Sequence, residues 1–498
     1  MKKKDFINIL ILILIAVAIF YPLFFSEYLY TDEAVQLWLY KKGSNFQMFL
    51  PQGRYITDKL FQSLFNKANT IHDVRFIRLF SFFGWIICIP VWYYIIKKIV
   101  TRERLTELLT FFSILYLVCS PPFSIYVSWA SCLELFIANT AGLISGYILY
   151  SFARFENERI SIPLRAIVGA TLFGVISLFT YQNGFGCFLL PFLLHLIAKP
   201  KDFKLIFIGI AVCLFIYVIY YFLFTLSLRF NHIEAISRTK ISINVFPKIR
   251  FFFRPLATAF HFTYLFNEKS IIGFIIYLII FFTWTIIDFY RFITLSVANR
   301  LKIFALTILM LILIYLPTLI VKENYFPNRT LLALDMGVFF LVSQTLLARI
   351  KKYKTKIIFV TVVSFLFVVN GWYNFKKQFL NPVKNEYAQV RAFIENNYKP
   401  EVNSIYFIQP REDFFVRTYH ITRSWDEFGV PSTFFDWVPE FFVKQVVFEK
   451  TGSWQTAEKL IIKHWLGKET FLNSNPPLSK DVLLIDVEEI ITGNRGNK

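Results

Sequence analysis

Two adjacent carboxylates, Asp32 and Glu33, stand in the run Tyr30-Thr31-Asp32-Glu33-Ala34-Val35-Gln36-Leu37-Trp38, a few residues beyond the apolar stretch that opens the chain. An acidic pair in that position lies at a water–lipid boundary, where a carboxylate can accept the proton of an attacking hydroxyl. Two neighbouring carboxylates can also bind Mg or Mn, although the sequence supplies no complete ligand set. A structural reading stands beside the chemical one. Thr31 suits a helix N-cap, and acidic residues in a first helical turn gain about 0.3 to 1 kcal/mol each from the helix dipole. The same connection carries Gly53-Arg54-Tyr55, then Arg75 and Arg78. Arg54 is either a ligand-holding cation or a plain loop cation beside a turn glycine. Farther on, Glu134 and Asp335 fall inside apolar runs, where a charged carboxylate costs about 2.5 to 3.5 kcal/mol, so both must face protein or a watery cavity. Glu134 reads as structural. Asp335, about two helical turns after Asn328 and on its face, has a structural and a functional reading equally open.

The elements that position these residues follow from the apolar runs. The chain has 498 residues, 56% hydrophobic and 17% charged, against roughly 25% charged in ordinary globular chains. Its net charge is +20, which in a soluble protein would suggest nucleic acid. Candidate spans of a ~30 Å hydrocarbon core lie at about 6–25, 79–96, 105–120, 134–153, 164–181, 184–198, 205–228, 270–288, 303–321, 331–348 and 356–373. The expected architecture is therefore an α-helical multi-pass membrane protein of about eleven spans with its N-terminus inside. The first run ends in Tyr21-Pro22-Leu23-Phe24-Phe25 without a small-residue cleavage site, so an uncleaved helix is expected. Alternate connections hold Lys97/Lys98/Arg102/Arg104, Arg154/Arg159/Arg165, Lys199/Lys201/Lys204, Arg291/Arg300/Lys302 and Arg349/Lys351/Lys352/Lys354/Lys356. This bias marks them as cytoplasmic and accounts for much of the net charge without nucleic acid.

The opposite side would carry the connections 26–78, 229–269 and 322–330 and a tail from 374 to 498. The tail shifts to mixed charge. Strands are expected at Ser404 to Gln409 and Val482 to Asp486, helices around Tyr387 to Asn397 and Thr456 to Trp465, and a small external α/β domain as the whole. The basic, aromatic connection 229–269 suits an interfacial helix on lipid head groups or part of a ligand groove. All five cysteines lie in or beside spans, and the six histidines show no metal-ligand spacing.

A membrane helix followed at once by a loop with an Asp-Glu pair, and later Gly53-Arg54-Tyr55, resembles the GT-C superfamily of integral-membrane glycosyltransferases, most closely the O-antigen-modifying glucosyltransferases. That group tends to show two aspartates where this chain has Asp32-Glu33. The resemblance implies a GT-C-like catalytic region over 1–373 and transfer of a sugar, a hexose such as glucose, from a polyprenyl-phosphate donor to a hydroxyl of a cell-surface glycan or lipid-linked saccharide. It also implies the external face, and the high Lys, Phe, Ile and Asn usage points to an AT-rich bacterial genome and so to a plasma membrane. Asp32 would be the base and Glu33 its assistant. Such a donor needs no nucleotide pocket, and the chain has no P-loop or GxGxxG motif. It does need cations where the phosphate leaves. Arg329, whose fork matches two phosphate oxygens, is the first choice and Lys322 the second, with Arg54 and Tyr55 in the first loop and Tyr325 between the two. A snorkelling Arg at a helix end is the plain alternative. Gln182, beside Tyr181, would contact the sugar or make an ordinary turn. A transporter, flippase or polymerase of lipid-linked saccharides is the competing class. Against transport stands the lack of inverted repeats with matching broken helices.

Overall fold

The computed structural model describes residues 3–41, 44, 46–156, 159–200, 202–234, 236, 240–242, 244–262, 275, 279–280, 282–284, 286, 296–422 and 427–493. The opening apolar run forms α1 (Lys3–Phe20), and its loop folds into α2 (Asp32–Leu39) and α3 (Tyr55–Phe65). Helix α4 (Ile71–Arg102) starts at a capping box in which Thr70 and Asp73 satisfy each other's backbone N–H groups. There follow α5 (Leu108–Cys119), α6 (Pro121–Ser128) and α7 (Leu135–Phe152). A short hairpin, β1 (Arg154–Glu156) with β2 (Arg159–Ser161), leads to α8 (Leu164–Thr180), α9 (Leu190–Ala198), α10 (Lys204–Phe230) and α11 (Val245–Ala259). Beyond it lie α12 (Val297–Ile314), α13 (Leu316–Ile320), α14 (Leu332–Arg349) and α15 (Tyr353–Tyr373).

Seven helices among the described residues are long and apolar enough to cross a membrane, or eight if α5 and α6, bent by 51°, form one span. The fold is that of a multi-pass membrane protein, and the expected eleven spans are corrected to this smaller number. Helix α8 has 17 residues and rises only about 26 Å, short of the hydrocarbon thickness. The run after it begins as eight residues of 3₁₀ helix, Gln182–Leu189, before α9. That tight winding comes from close packing: a Cβ on Gly146 of α7 would sit 2.0 Å from the Phe188 carbonyl oxygen. Most of the expected span at 270–288, together with Arg238 and Arg291, lies outside the described residues.

The chain is helical across the expected boundary at 374. Helix α15 continues through a π-helical stretch, Asn374–Leu380, into α16 (Asn381–Asn397), so one rod leads from the bundle into the tail. There β3 (Ser404–Gln409) lies between β4 (Ile461–Leu466) and β5 (Val482–Asp486), all parallel, in the order β4-β3-β5. Helices α17 (Phe414–Tyr419), α18 (Val438–Thr451), α19 (Trp454–Glu458), α20 (Gly467–Ser474) and α21 (Val487–Thr492) flank the sheet. The strands at 404–409 and 482–486 are where the sequence pattern puts them, and α16 covers the helix expected at 387–397. The helix expected over 456–465 is corrected: α19 stops at Glu458, and Ile461, Ile462 and Trp465 extend along the β3 edge, a pairing that suits branched and aromatic side chains.

The tail is packed onto one end of the bundle. Trp454 stacks on Trp38 at 3.5 Å, and Glu449 accepts the Ile71 backbone N–H at 2.7 Å. Basic groups gather at the opposite end. Arg102 donates to the carbonyls of Tyr150 and Ala153 at 2.9 and 3.1 Å, and Lys199 pairs with Glu103 at 3.1 Å.

Candidate functional site

The site begins with a strained turn. Thr31 has φ +44° and ψ −115°, a conformation that costs a non-glycine residue about 1 to 3 kcal/mol unless its surroundings hold it. The tail holds it: the Thr31 backbone N–H donates to Ser432 Oγ at 2.7 Å, and Glu386 in turn accepts the backbone N–H groups of Ser432 and Thr433 at 2.9 and 3.0 Å. Beyond this turn the two carboxylates part company. Asp32, partly exposed, lines a cavity and accepts from Trp437 Nε1 at 2.9 Å. Glu33, fully buried, points the other way into an ion pair with Arg78 and accepts backbone N–H groups of Tyr30 and Ala130 at 2.8 and 2.6 Å. Arg78 also donates to the Tyr28 carbonyl at 2.7 Å, with its guanidinium 3.6 Å from the Tyr28 ring centre.

On the cavity wall opposite, Gly53 adopts φ +75° and a Cβ there would meet the Tyr220 hydroxyl at 2.3 Å, so glycine both permits the turn and lets α10 approach. The next residue, Arg54, donates through Nε to Gln182 Oε1 at 3.2 Å, with its guanidinium over the Tyr181 ring at 4.2 Å. Gln182 is fixed by its own donations to the Gln52 carbonyl and the Tyr220 hydroxyl, at 2.7 and 2.8 Å.

Arg329 closes the third side. It lies in a 3₁₀ turn, Asn328–Thr330, ahead of α14. Its Nη1 donates to Glu427 Oε1 at 2.9 Å, its Nη2 to the Tyr325 hydroxyl, and its guanidinium lies 4.7 Å from the Trp129 ring centre. Buried Glu427 also accepts the backbone N–H groups of Asn328 and Arg329, at 2.6 and 3.1 Å.

Asp32, Arg54, Gln182, Tyr325 and Arg329 thus share one cavity of about 450 Å³, with aromatic walls that include Trp129, Tyr181, Tyr220 and Phe224. Four other expected residues are not on its walls. Glu33 is spent on Arg78. Tyr55 is half-exposed on α3. The Lys322 side chain is exposed, while its backbone N–H bonds the Lys240 carbonyl at 2.8 Å. Asp335 is buried one layer below, near Tyr126 and Tyr315, whose hydroxyls donate to the Arg329 carbonyl and bond Thr330 Oγ1; its Oδ1 makes no hydrogen bond among the described residues. Glu134 is buried as well, and its carboxyl interacts electrostatically with Arg54 and Arg329.

The Asp32-Glu33 pair does not converge on a metal position, because Glu33 is committed to Arg78. Among the described residues no group of three or more His, Cys, Asp or Glu side chains is placed to hold an ion. What the cavity does present is Asp32 and two guanidinium cations around an aromatic chamber, with a second carboxylate, Glu323, also on its wall. Such an arrangement can take a proton at one wall and hold an anion at the others. Glu427, Trp437, Ser432 and Glu386 escape a reading of the sequence, since none belongs to a local motif and the site is reached from distant segments, Glu427 lying 98 residues from Arg329 and Trp437 405 residues from Asp32. No protein-family model, curated protein or solved structure matches the chain.

Proposed function

We propose that the protein is a GT-C-like membrane glycosyltransferase that moves a hexose from a polyprenyl-phosphate donor to a hydroxyl of a cell-surface glycan. The observation that carries this reading is the shared cavity, in which Asp32 faces Arg54 and Arg329. The acceptor oxygen attacks the anomeric carbon, the bond from that carbon to the phosphate oxygen breaks, and the acceptor's proton passes to Asp32. Polyprenyl phosphate departs with its charge beside the two guanidinium groups, which match phosphate oxygens better than an ammonium does. Trp129 and Tyr181 supply apolar faces for the sugar, and Gln182 and Tyr325 supply hydrogen bonds. Exposed apolar residues of α10 on the cavity wall, Val218 and Tyr221, offer the polyprenyl chain a route from the bilayer.

The proposed setting is a bacterial plasma membrane with the cavity and tail outside. The basic connections at the opposite end support that orientation, because Lys and Arg collect on the cytoplasmic side. The test is sugar transfer from a polyprenyl-phosphate hexose by the purified chain in lipid discs. Asp32→Asn, which keeps an acceptor for Trp437, is expected to lose about 10²- to 10⁴-fold in rate. Undiminished transfer by that variant removes Asp32 as the base, and movement of the lipid across vesicles without transfer supports transport instead.

A further inference from the structure

We infer that the exposed face of Trp437, backed by Phe435, is a binding platform for the acceptor's sugar residue. This deepens the glycosyltransferase reading and rests on it for the acceptor's role. Trp437 is 47% exposed, the one large aromatic side chain open to water among the described residues of the tail. A tryptophan left open to water normally costs the chain the burial of a large apolar surface. Here the ring is nonetheless held firmly: Phe435 stacks on it at 4.9 Å with an interplanar angle of 29°, and its Nε1 donates to Asp32 Oδ1 at 2.9 Å. The backbone beneath is fixed by the Val438 N–H to the Phe435 carbonyl, at 2.9 Å, and by the bonds from Ser432 and Thr433 to Glu386.

The neighbours indicate what lies on that ring. Asp436, with a 78% exposed side chain, sits next to it, and His464, whose Nδ1 bonds Gln409 Oε1 at 3.0 Å, lies 3.9 Å from the Asp436 carboxylate. A pyranose has a face of carbon-bound hydrogens and a rim of hydroxyls. The face suits the indole and the rim suits a carboxylate and an imidazole. An anionic lipid surface, the other surface that exposed tryptophans seek, is repelled by the exposed Asp436 carboxylate. Trp437 is not on the wall of the cavity that holds Arg54 and Arg329, yet it touches Asp32, which is. The donor therefore sits on the cavity side of Asp32 and the acceptor on the tail side, with the carboxylate between them. A sugar ring stacked on the indole has its rim hydroxyls within a few ångströms of the proton-accepting oxygen.

The experiment uses the full chain in lipid discs and a lipid-free O-antigen oligosaccharide, with binding read by saturation-transfer NMR and transfer by acceptor and donor titrations. Wild type and Asp32→Asn should bind the oligosaccharide alike. Trp437→Ala should weaken that binding about tenfold or more and raise the acceptor KM in step, with the donor KM within about twofold. Trp437→Phe, which keeps a ring and loses the N–H, should keep most of the binding while lowering kcat, and it guards against a folding defect in the alanine variant. Transfer that depends on Asp32 with an acceptor KM indifferent to Trp437→Ala overturns the platform and leaves the glycosyltransferase reading standing. Oligosaccharide binding that depends on Trp437 in a chain without transfer supports the platform and removes the reaction. Loss of vesicle association in place of oligosaccharide binding overturns the platform in favour of a membrane anchor.

Discussion

Arg329 and Asp32 are both held by the tail, through Glu427 and Trp437 respectively. Glu427 accepts three donors from the Asn328-Arg329 turn, so its charge aligns the guanidinium that faces the cavity. Charge-assisted bonds of this kind are roughly twice as strong as neutral ones. Glu427→Gln should therefore raise the donor KM about tenfold, leaving the acceptor KM unchanged, in a titration of each substrate. Equal effects on both substrates would make Glu427 a general fold residue. At this scale the sequence reveals the types of the cavity residues Asp32, Arg54, Gln182, Tyr325 and Arg329, because each carries chemistry in a connection between apolar runs or beside one. It could not separate Asp32 from Glu33. Neighbours on a helix point about 100° apart, so two adjacent carboxylates meet different surroundings, one a cavity and one Arg78.

Among the elements, the contact of α2 with α4 rests on that buried pair. Removing one partner of a buried ion pair leaves an uncompensated charge and costs about 3 to 5 kcal/mol, whereas replacing both by apolar groups is often neutral. Arg78→Met should lower the thermal midpoint of the purified protein, and Glu33→Gln with Arg78→Met, which removes both charges and keeps an acceptor for the Tyr30 and Ala130 N–H groups, should recover part of the loss. A double variant as unstable as the single one would contradict this account of the pair. Helix and strand positions in the tail were legible where a strand carries its own apolar pattern, as in β3 and β5. Strand β4 was not, since its six residues show both helical and strand periodicity and its extended form depends on the β3 edge. The pair 164–198, which the sequence leaves open between two spans joined by a tight turn and one kinked element, is ambiguous for a related reason: its apolar content is that of two spans, while glycine contacts with α7 wind its second half into a 3₁₀ segment.

For the molecule as a whole, the membrane class was legible in composition alone, and the two-ended charge distribution followed from the connections. The relation of tail to bundle was not, because a continuous rod from Tyr353 to Asn397 folds the tail back onto a loop near the start of the chain. Its orientation in the membrane can be measured directly. The five native cysteines are buried, so a single introduced cysteine reports its own side. Ser479→Cys in the tail should react with a membrane-impermeant maleimide in intact cells, and Lys352→Cys at the basic end should react only after permeabilisation. The reverse pattern would put the cavity in the cytoplasm.

The central claim is that one cavity holds a lipid-phosphate sugar with its reacting carbon toward Asp32. The most direct measurement is a cryo-electron microscopy structure of the Asp32→Asn variant in lipid discs with a polyprenyl-phosphate hexose. The account predicts the phosphate beside Arg54 and Arg329, the sugar against Trp129 and Tyr181, and the anomeric carbon turned to residue 32. A donor bound away from these arginines, or with its phosphate toward residue 32 and its sugar beyond reach of it, would contradict the account.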